Sequence, residues 1–268
     1  MQLDFEFILV VLTALAGLIW LFDALFLAPR RRAAARAAEK ARARKPIAEP
    51  TIVEYARSFF PVLLIVLVLR SFVAEPFRIP SESMLPTLQV GDFILVSKYS
   101  YDVRLPVLQT RVVDTGSPER GDVAVFRYPV DPSINYIKRI VGLPGDTVAY
   151  YNEQLFINGD PAPMTEVGPY EIPGGQPVEA GMVEFRERLN DLEHAIVVRP
   201  DGRALEGEFV VPDGHYFAIG DNRNYSNDSR RWGYVPEDHL VGRARMIWMH
   251  WNWSDGGVDW SRIGNTIR

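Results

Sequence analysis

Apolar and polar positions split the chain into two differently patterned parts. Up to Ala74 the apolar residues come in long runs, and beyond it they come in short runs broken by turn-forming residues. The first run extends from Phe5 to Ala28, interrupted by Glu6 near its start and Asp23 near its end. It meets the roughly 20 residues that a helix needs to cross a hydrocarbon core. The second begins near Ser58, is apolar from Phe59 to Leu69, and continues past Arg70 through Ser71-Phe72-Val73-Ala74. Its apolar centre is short, but Arg70 can snorkel its charge to the interface, which rescues a span of roughly 17 residues. Pro61 falls in the first turn of that helix, where a missing N–H is harmless. Positive charges follow the first run instead of preceding it, so it reads as a retained span and not as a cleaved leader. Apolar residues all round both helices favour spans over core helices of a soluble domain.

After Glu75 the pattern turns to β. Phe93–Val96, Val123–Phe126, Ile137–Val141, Ala195–Val198, Tyr216–Ile219 and Ala244–Trp251 read as strands. Pro144-Gly145-Asp146, Asn158-Gly159, Pro200-Asp201-Gly202 and Pro212-Asp213-Gly214 read as the turns between them. Val148–Ile157, leading into Asn158-Gly159, reads as the start of a hairpin. Residues 181–194 suit a short helix. The stretch from about 152 to 212 is rich in Gly, Pro and Glu and reads as an irregular insertion. The expected architecture is mainly β: two N-terminal transmembrane helices, then a mostly antiparallel β domain carrying an irregular β insertion. The expected boundaries are a first span over 1–29, a basic loop over 30–57, a second span over 58–76 and an outer domain over 77–268.

Charge changes the picture by orienting the spans. The net charge is −5. Residues 30–45 hold Arg30, Arg31, Arg32, Arg36, Lys40, Arg42, Arg44 and Lys45 against Glu39 alone, a balance of +7, so the remainder sums to −12. By the positive-inside rule this segment stays in the cytoplasm, and everything after about Glu75 faces out. In a bacterium with two membranes the outer domain then lies in the periplasm, anchored in the inner membrane. The Ala/Arg-rich segment has no apolar face to bury and is assigned no fold. The acidic remainder disfavours a nucleic-acid partner. With no cysteine in the chain, disulfides, thiolate zinc sites and cysteine nucleophiles are excluded. His194, His215, His239 and His250 are scattered without a His-x-x-x-His pair, so no metal site is expected.

Three polar segments carry candidate chemistry. Residues 75–88 bear Ser81 and Ser83 between Pro80 and Pro86. In an extended loop both hydroxyls can point to the same side, one to attack a carbonyl and the other to stabilise the oxyanion. A serine needs a base, and the histidines sit in no familiar local motif. A lysine serves if desolvation lowers its pKa towards neutrality. Lys138 lies in Asn135-Tyr136-Ile137-Lys138-Arg139-Ile140-Val141, where alternation groups Tyr136, Lys138 and Ile140 on one face and Ile137, Arg139 and Val141 on the other. The third segment, Gly220 to Gly233, is a dense polar loop whose charged groups need partners if it packs on the core. Asp228 can pair with Arg230 there, and Ser226 can bond a lysine amine. Each segment also has a bland reading: a Pro-bounded serine loop, a solvated strand lysine, an ordinary turn.

Together these segments resemble the bacterial type I signal peptidases, in the two-span form of bacteria with an outer membrane. The resemblance rests on Ile79–Leu88, Gly121–Phe126, Tyr136–Arg139 with Gly142–Asp146, and Gly220–Arg230, in that order. It implies a signal-peptidase-type β catalytic domain that cuts signal peptides from exported preproteins, without a cofactor. Ser83 would be the nucleophile and Lys138 the general base. Ser81 would add a hydroxyl to the oxyanion hole beside the Ser83 N–H, and Ser226 would orient the Lys138 amine. Asp228 and Arg230 match a structural ion pair of the family, and Asp221 and Arg139 would support the site. Phe77, Ile79, Met84, Leu88, Tyr136 and Ile137 would shape pockets for small residues before the cut. Asn224 departs from the family, which often has Asp there. The implied partners are preproteins, the phospholipid membrane and, as a neighbour, the export translocon. Two rivals remain open: a self-cleaving repressor-type Ser–Lys protease, which would carry a DNA-binding domain in place of spans, and a non-catalytic anchored scaffold. Ser83 follows Ala74 by nine residues, a tether of roughly 30 Å at full extension. Trp248, Trp251, Trp253 and Trp260, with Met246 and Met249, suit an interfacial contact beside the active-site loop.

Overall fold

The computed structural model describes residues 5–40, 49–108, 110–171, 181–200, 202, 204–252 and 256–268. Contacts divide it into two compact units, Met1–Val73 with Arg104–Val112, and Ala74–Val103 with Val113–Arg268.

The first unit is built on two long helices. α1 (Phe5–Phe22) passes through a π-helical turn at Asp23–Leu27 into α2 (Ala28–Lys40). The basic segment expected to have no fold is thus helical as far as Lys40, because the helix already nucleated by the apolar run propagates cheaply into an Ala/Arg stretch of high helix propensity. Arg31 forms a bidentate pair with Asp23 across the junction. Residues 41–45 of the basic segment lie outside the described residues. α3 (Thr51–Val68) continues through a π turn at Leu69–Val73. It starts ahead of the expected residue 58, and Ala74, Glu75 and Pro76 are strand and not helix. Trp20 meets Phe60 at 5.5 Å between ring centroids, and Gly17 lets the Phe60 ring approach the α1 backbone. The other faces stay apolar and exposed, including Leu12, Leu15, Leu18, Phe59, Val62 and Ile65. Phe5–Arg36 and Thr51–Val73 are both long and apolar enough to cross a membrane.

The second unit is a β domain. Its strands, with those of the hairpin it shares with the first unit, are β1 (Ala74–Arg78), β2 (Asp92–Ser97), β3 (Asp102–Arg104), β4 (Arg111–Asp114), β5 (Val123–Arg127), β6 (Asn135–Gly142), β7 (Thr147–Tyr151), β8 (Gln154–Ile157), β9 (Asp160–Pro161), β10 (Met164–Pro169), β11 (Val183–Leu189), β12 (Leu192–Val198), β13 (Gly207–Val210), β14 (His215–Ile219), β15 (Val235–Pro236), β16 (Leu240–Asn252) and β17 (Gly257–Val258). The main sheet runs β1-β2-β16-β5-β6-β14-β15 with β17 on β16, its strand pairs antiparallel. Both faces of its centre are covered. Along β5, Val123 and Val125 enter one apolar cluster with Ile79, Met84, Leu88 and Ile247, while Ala124 and Phe126 enter another with Ile140, Tyr216 and Leu240. A two-sided core explains why the neighbours Lys138 and Arg139 are both buried although alternation sends them to opposite faces.

The insertion is more regular than expected. β7, β8, β9 and β13 form one sheet, and β10, β11 and β12 another. Val148–Ile157 is not one hairpin arm but a hairpin in itself, turning at Asn152 and Glu153, both at positive φ, as a tight two-residue turn requires. Residues 183–198 form a hairpin turning at Asn190 (φ 53°), and the expected helix over 181–194 is absent. Glu and Arg there have good helix propensity, but sheet pairing buries Glu187 and Leu189 on alternate positions and overrides it.

Candidate active site

Residues 81–88 are a chain of turns and not an extended loop. Leu85 N–H donates to the Glu82 carbonyl at 3.1 Å and Leu88 N–H to the Met84 carbonyl at 2.9 Å. Burial of Met84, Leu85 and Leu88 in the core fixes the coil. Ser83 is buried while Ser81 remains exposed, and their hydroxyl oxygens stand 3.3 Å apart. The two hydroxyls therefore do meet, through a turn.

Lys138 reaches Ser83 from the middle of β6. Its Nζ donates to Ser83 Oγ at 2.7 Å and to the Ile137 carbonyl at 2.8 Å. Burial lowers its pKa from 10.5 to about 8, against the pull of the Asp228 and Asp221 carboxylates, which raise it. Desolvation wins because an ammonium ion taken out of water loses more than two carboxylates without a direct contact return. The result is a hydroxyl bonded to an amine that can give up its proton near neutral pH.

The polar loop folds over this pair. Gly220 N–H donates to Asp228 Oδ2 at 3.1 Å, and Asn222 N–H donates to the Ser83 carbonyl at 3.2 Å. A Cβ on Gly220 would overlap the Ser83 carbonyl oxygen and Ser226 Oγ, so only glycine permits this approach. Arg230 grips Asp228 through Nε (2.9 Å) and Nη2 (2.7 Å), the internal pair expected from the spacing. Ser226 is buried, but its hydroxyl makes no well-formed hydrogen bond to Lys138 or to any other group. Burial works against ionisation of Asp228, but Arg230 outweighs it and, with smaller help from the nearby Ser226 and the Gly220 N–H, holds that carboxyl below its ordinary pKa.

Arg139 points away from Lys138 and is wholly buried. Nε and Nη2 bind Asp221 at 2.8 and 2.7 Å, and Nη1 donates to the carbonyls of Gly121 (2.7 Å) and Arg268 (2.9 Å). Thr87 Oγ1 donates to Asp221 Oδ2 at 2.5 Å. Opposed by burial, these contacts still hold the Asp221 carboxyl below its usual range. Of the expected pocket residues, Ile79, Met84 and Leu88 are almost fully buried in the cluster beside β1 and β5, with Phe77 and Ile137 half-buried against it. Tyr136 lies on the other face, stacked on Tyr128 at 4.3 Å. Asn224 Oδ1 accepts from Arg199 N–H at 2.7 Å, which ties the loop to the insertion.

Sequence reasoning missed Thr87, Gly220, Glu187, His194 and Arg223. The last three form a buried cluster: Arg223 clasps Glu187 with both terminal nitrogens, and His194 Nε2 stands 3.3 Å from Glu187 and 3.9 Å from Asp221. Alternation along a strand over 183–189 would have turned Glu187 inward with Leu189, and that was the available signal. Among the described residues no group of acidic or histidine side chains could hold a metal ion. Trp248 and Trp260 are exposed, Trp251 is half-buried, and Trp253 lies outside the described residues.

Comparison with known proteins adds a family and close relatives. The family model described as "Signal peptidase, peptidase S26" matches residues 52–251. The chain is similar to "Signal peptidase I" of Pseudomonas fluorescens, 49% identical over 273 residues that cover 94% of each chain. It is 48% identical to "Signal peptidase I" of Pseudomonas aeruginosa, again covering 94% of each. It is 35% identical to that of Haemophilus influenzae over 301 residues, covering 91% of this chain and 85% of the relative.

Proposed function

The chain belongs to the signal peptidase family, peptidase S26, and on that premise we propose that Ser83 and Lys138 are the dyad with which this membrane-bound serine endopeptidase removes signal peptides from preproteins. The observation that carries this reading is the buried 2.7 Å hydrogen bond from Lys138 Nζ to Ser83 Oγ, on an amine whose pKa burial has lowered. Ser83 Oγ attacks the scissile carbonyl while neutral Lys138 takes its proton. The oxyanion is received by the Ser83 N–H and the Ser81 hydroxyl. As the intermediate collapses, the Lys138 ammonium protonates the departing amine and an acyl-enzyme remains. Lys138, neutral again, deprotonates a water that hydrolyses the ester, and Ser83 regains its proton. Asp228–Arg230 and Asp221–Arg139 hold the two loops around this exchange, and Ser226 packs against the Gly220 backbone beside Asp228. Phe77, Ile79, Met84, Leu88, Tyr136 and Ile137 form the walls and backing of the pockets for small side chains before the cut.

The same reading places Phe5–Arg36 and Thr51–Val73 across the bacterial inner membrane, the basic segment in the cytoplasm and the β domain in the periplasm, where the export translocon delivers preproteins. It also rests Trp248 and Trp260 on the lipid surface. The family match does not favour a self-cleaving repressor-type protease or a scaffold. A cleavage assay on the detergent-solubilised chain with a preprotein substrate tests the dyad: wild-type protein yields mature product and Ser83→Ala does not. Cleavage by Ser83→Ala at the wild-type rate would refute it.

A further inference from the structure

The dyad and its nearest supports come from the main sheet and the loops around it. The cluster that anchors the polar loop from behind does not. Glu187 projects from β11 of the insertion, is completely buried, and is clasped by both terminal nitrogens of Arg223, itself almost fully buried. The Arg223 carbonyl accepts Arg230 Nη2 at 2.6 Å, and Arg223 N–H donates to the Val197 carbonyl on β12 at 2.9 Å. Arg230 then pins Asp228, and Asp228 holds the Gly220 N–H that lies against Ser83. On its other side Glu187 faces His194, which stands between it and Asp221, and Asp221 holds Arg139 and Thr87.

Resting on the Ser83–Lys138 reading, we propose that Glu187 is a positioning residue for the cleavage reaction: through Arg223 it locks the Gly220–Arg230 loop in the arrangement that presents Ser83 to Lys138. An arginine cannot shed its charge, and a buried one without its carboxylate must recruit another. The carboxylate at hand is Asp221, two residues along the chain, whose charge already acts on Arg223. Drawing Asp221 towards Arg223 takes it from Arg139 and Thr87. It also removes part of the negative potential that keeps the Lys138 proton in place. The groups facing Lys138 are the Ser83 hydroxyl, the Ile137 carbonyl, the Tyr136 ring and the carboxylates of Asp221 and Asp228. Those facing Glu187 are Arg223, His194 and the Tyr150 phenol. His194 is held largely neutral by its burial and by Arg139, so it acts here as a packing group between the two acids and not as a base. The insertion thereby becomes part of the catalytic apparatus, reaching the dyad through the Glu187–Arg223 ion pair beside the bonds from Val197 and Arg199 to the loop.

The test uses the full-length protein in detergent with a preprotein substrate, rates being normalised by an acylating active-site titrant. Glu187→Gln keeps the shape and removes the charge. It is expected to lower kcat at least tenfold, leave KM within about twofold, and move the acid limb of the kcat–pH profile to lower pH. Glu187→Asp is expected to recover part of the rate and return the limb towards its wild-type position. If Glu187→Gln does not fold, Glu187→Leu with Arg223→Leu removes both charges together and is expected to fold with kcat still at least tenfold down. Native kcat in that pair, or a Glu187→Gln enzyme with normal kcat per titrated site and an unmoved limb, overturns the inference. A Glu187→Gln enzyme that loses only active fraction, with kcat per site and pH limb unchanged, marks fold support alone and overturns it too. Cleavage by Ser83→Ala would overturn the dyad reading itself, whereas an inactive Ser83→Ala beside a normal Glu187→Gln would overturn this inference alone.

Discussion

Replacing Lys138 by methionine separates what the buried amine does for catalysis from what it does to stability. Lys138 has its pKa lowered from 10.5 to about 8. At about 1.4 kcal/mol per unit, that shift corresponds to about 3 kcal/mol of differential interaction between its protonation states. The sign follows from proton linkage. Between pH 8 and pH 10.5 the unfolded chain binds the proton that the folded chain has released, so folding stability rises with pH across that window. Below pH 8 both states are protonated and the folded protein carries the full desolvation cost. Lys138→Met removes that cost and keeps the volume. It also forfeits the hydrogen bonds to Ser83 Oγ and the Ile137 carbonyl, each worth about 1 kcal/mol net. The variant should therefore be inactive yet more stable than wild type by about 1 kcal/mol at pH 7, a rise of about 2–4 °C in Tm for a domain of this size. The gap should close as pH rises towards 10. The assay is tryptophan-monitored thermal unfolding of both full-length proteins in detergent at pH 7 and pH 10, beside a preprotein cleavage assay. A methionine variant that melts below wild type at pH 7, or a gap that does not narrow with pH, would refute the account of a desolvated base. The wild-type rate supplies an independent check: with the base about one-tenth neutral at pH 7 and about nine-tenths at pH 9, kcat should rise roughly tenfold between them.

Further outcomes follow from the same geometry. Ser83→Ala and Lys138→Ala should each abolish most cleavage, and the double variant should be little worse than either, because the two act as a unit; multiplicative losses in single-turnover assays would contradict that. Gly220→Ala forces a methyl group into the Ser83 carbonyl and Ser226, so it should cost about 1–3 kcal/mol of stability and at least tenfold in kcat, and a neutral result would mean that the loop is looser than described. Protease added outside intact inner-membrane vesicles of native orientation should digest the domain after Glu75 and spare residues 30–45. Digestion of the basic segment would invert the topology. The separate domain lacking residues 1–76 should bind phospholipid vesicles and lose most of that binding in Trp248→Ser with Trp260→Ser; equal binding by that variant would place the lipid contact elsewhere.

Much of the fold was legible because local pattern and tertiary environment agree. Short β-branched runs bounded by Pro, Gly and Asn became β2, β5, β6, β12, β14 and β16 close to where they were expected. The long apolar runs became helices. The failures lie where propensity and context diverge. Ala28–Lys40 has nothing to bury but continues a helix already formed. Val183–Leu189 is rich in Glu and Arg but pairs on both edges with β10 and β12. The second helix gives way at Ala74 because Ala74–Arg78 finds an antiparallel partner in β2, an event no local signal announces.

The site shows the same division more sharply. Ser81, Ser83 and Lys138 stood out as candidates because each sits in a short segment whose residue types suit the chemistry, paired serines between prolines and a lysine on an apolar strand; the choice of Ser83 as nucleophile and Lys138 as base came from the family resemblance. Their partners Asp228 and Arg230 lie two residues apart and could be read together. Glu187, His194 and Arg223 could not, because what makes them matter is mutual burial. Glu187 is an unremarkable acid in a charged stretch until β11 turns it beneath the polar loop. There a carboxylate with no counter-ion would cost several kcal/mol, and the arginine that meets it 36 residues later offsets part of that cost. Such a pair is weak evidence for net stability, since an apolar pair of similar volume could fill the space equally well. What an apolar pair would lack is direction. Arg223 presents its carbonyl to Arg230 and its N–H to Val197 while its guanidinium is held by Glu187. One side chain thus fixes both the height and the rotation of the loop that closes over Ser83. Interactions of this kind specify a conformation more than they deepen it, which is why composition and periodicity carry so little trace of them.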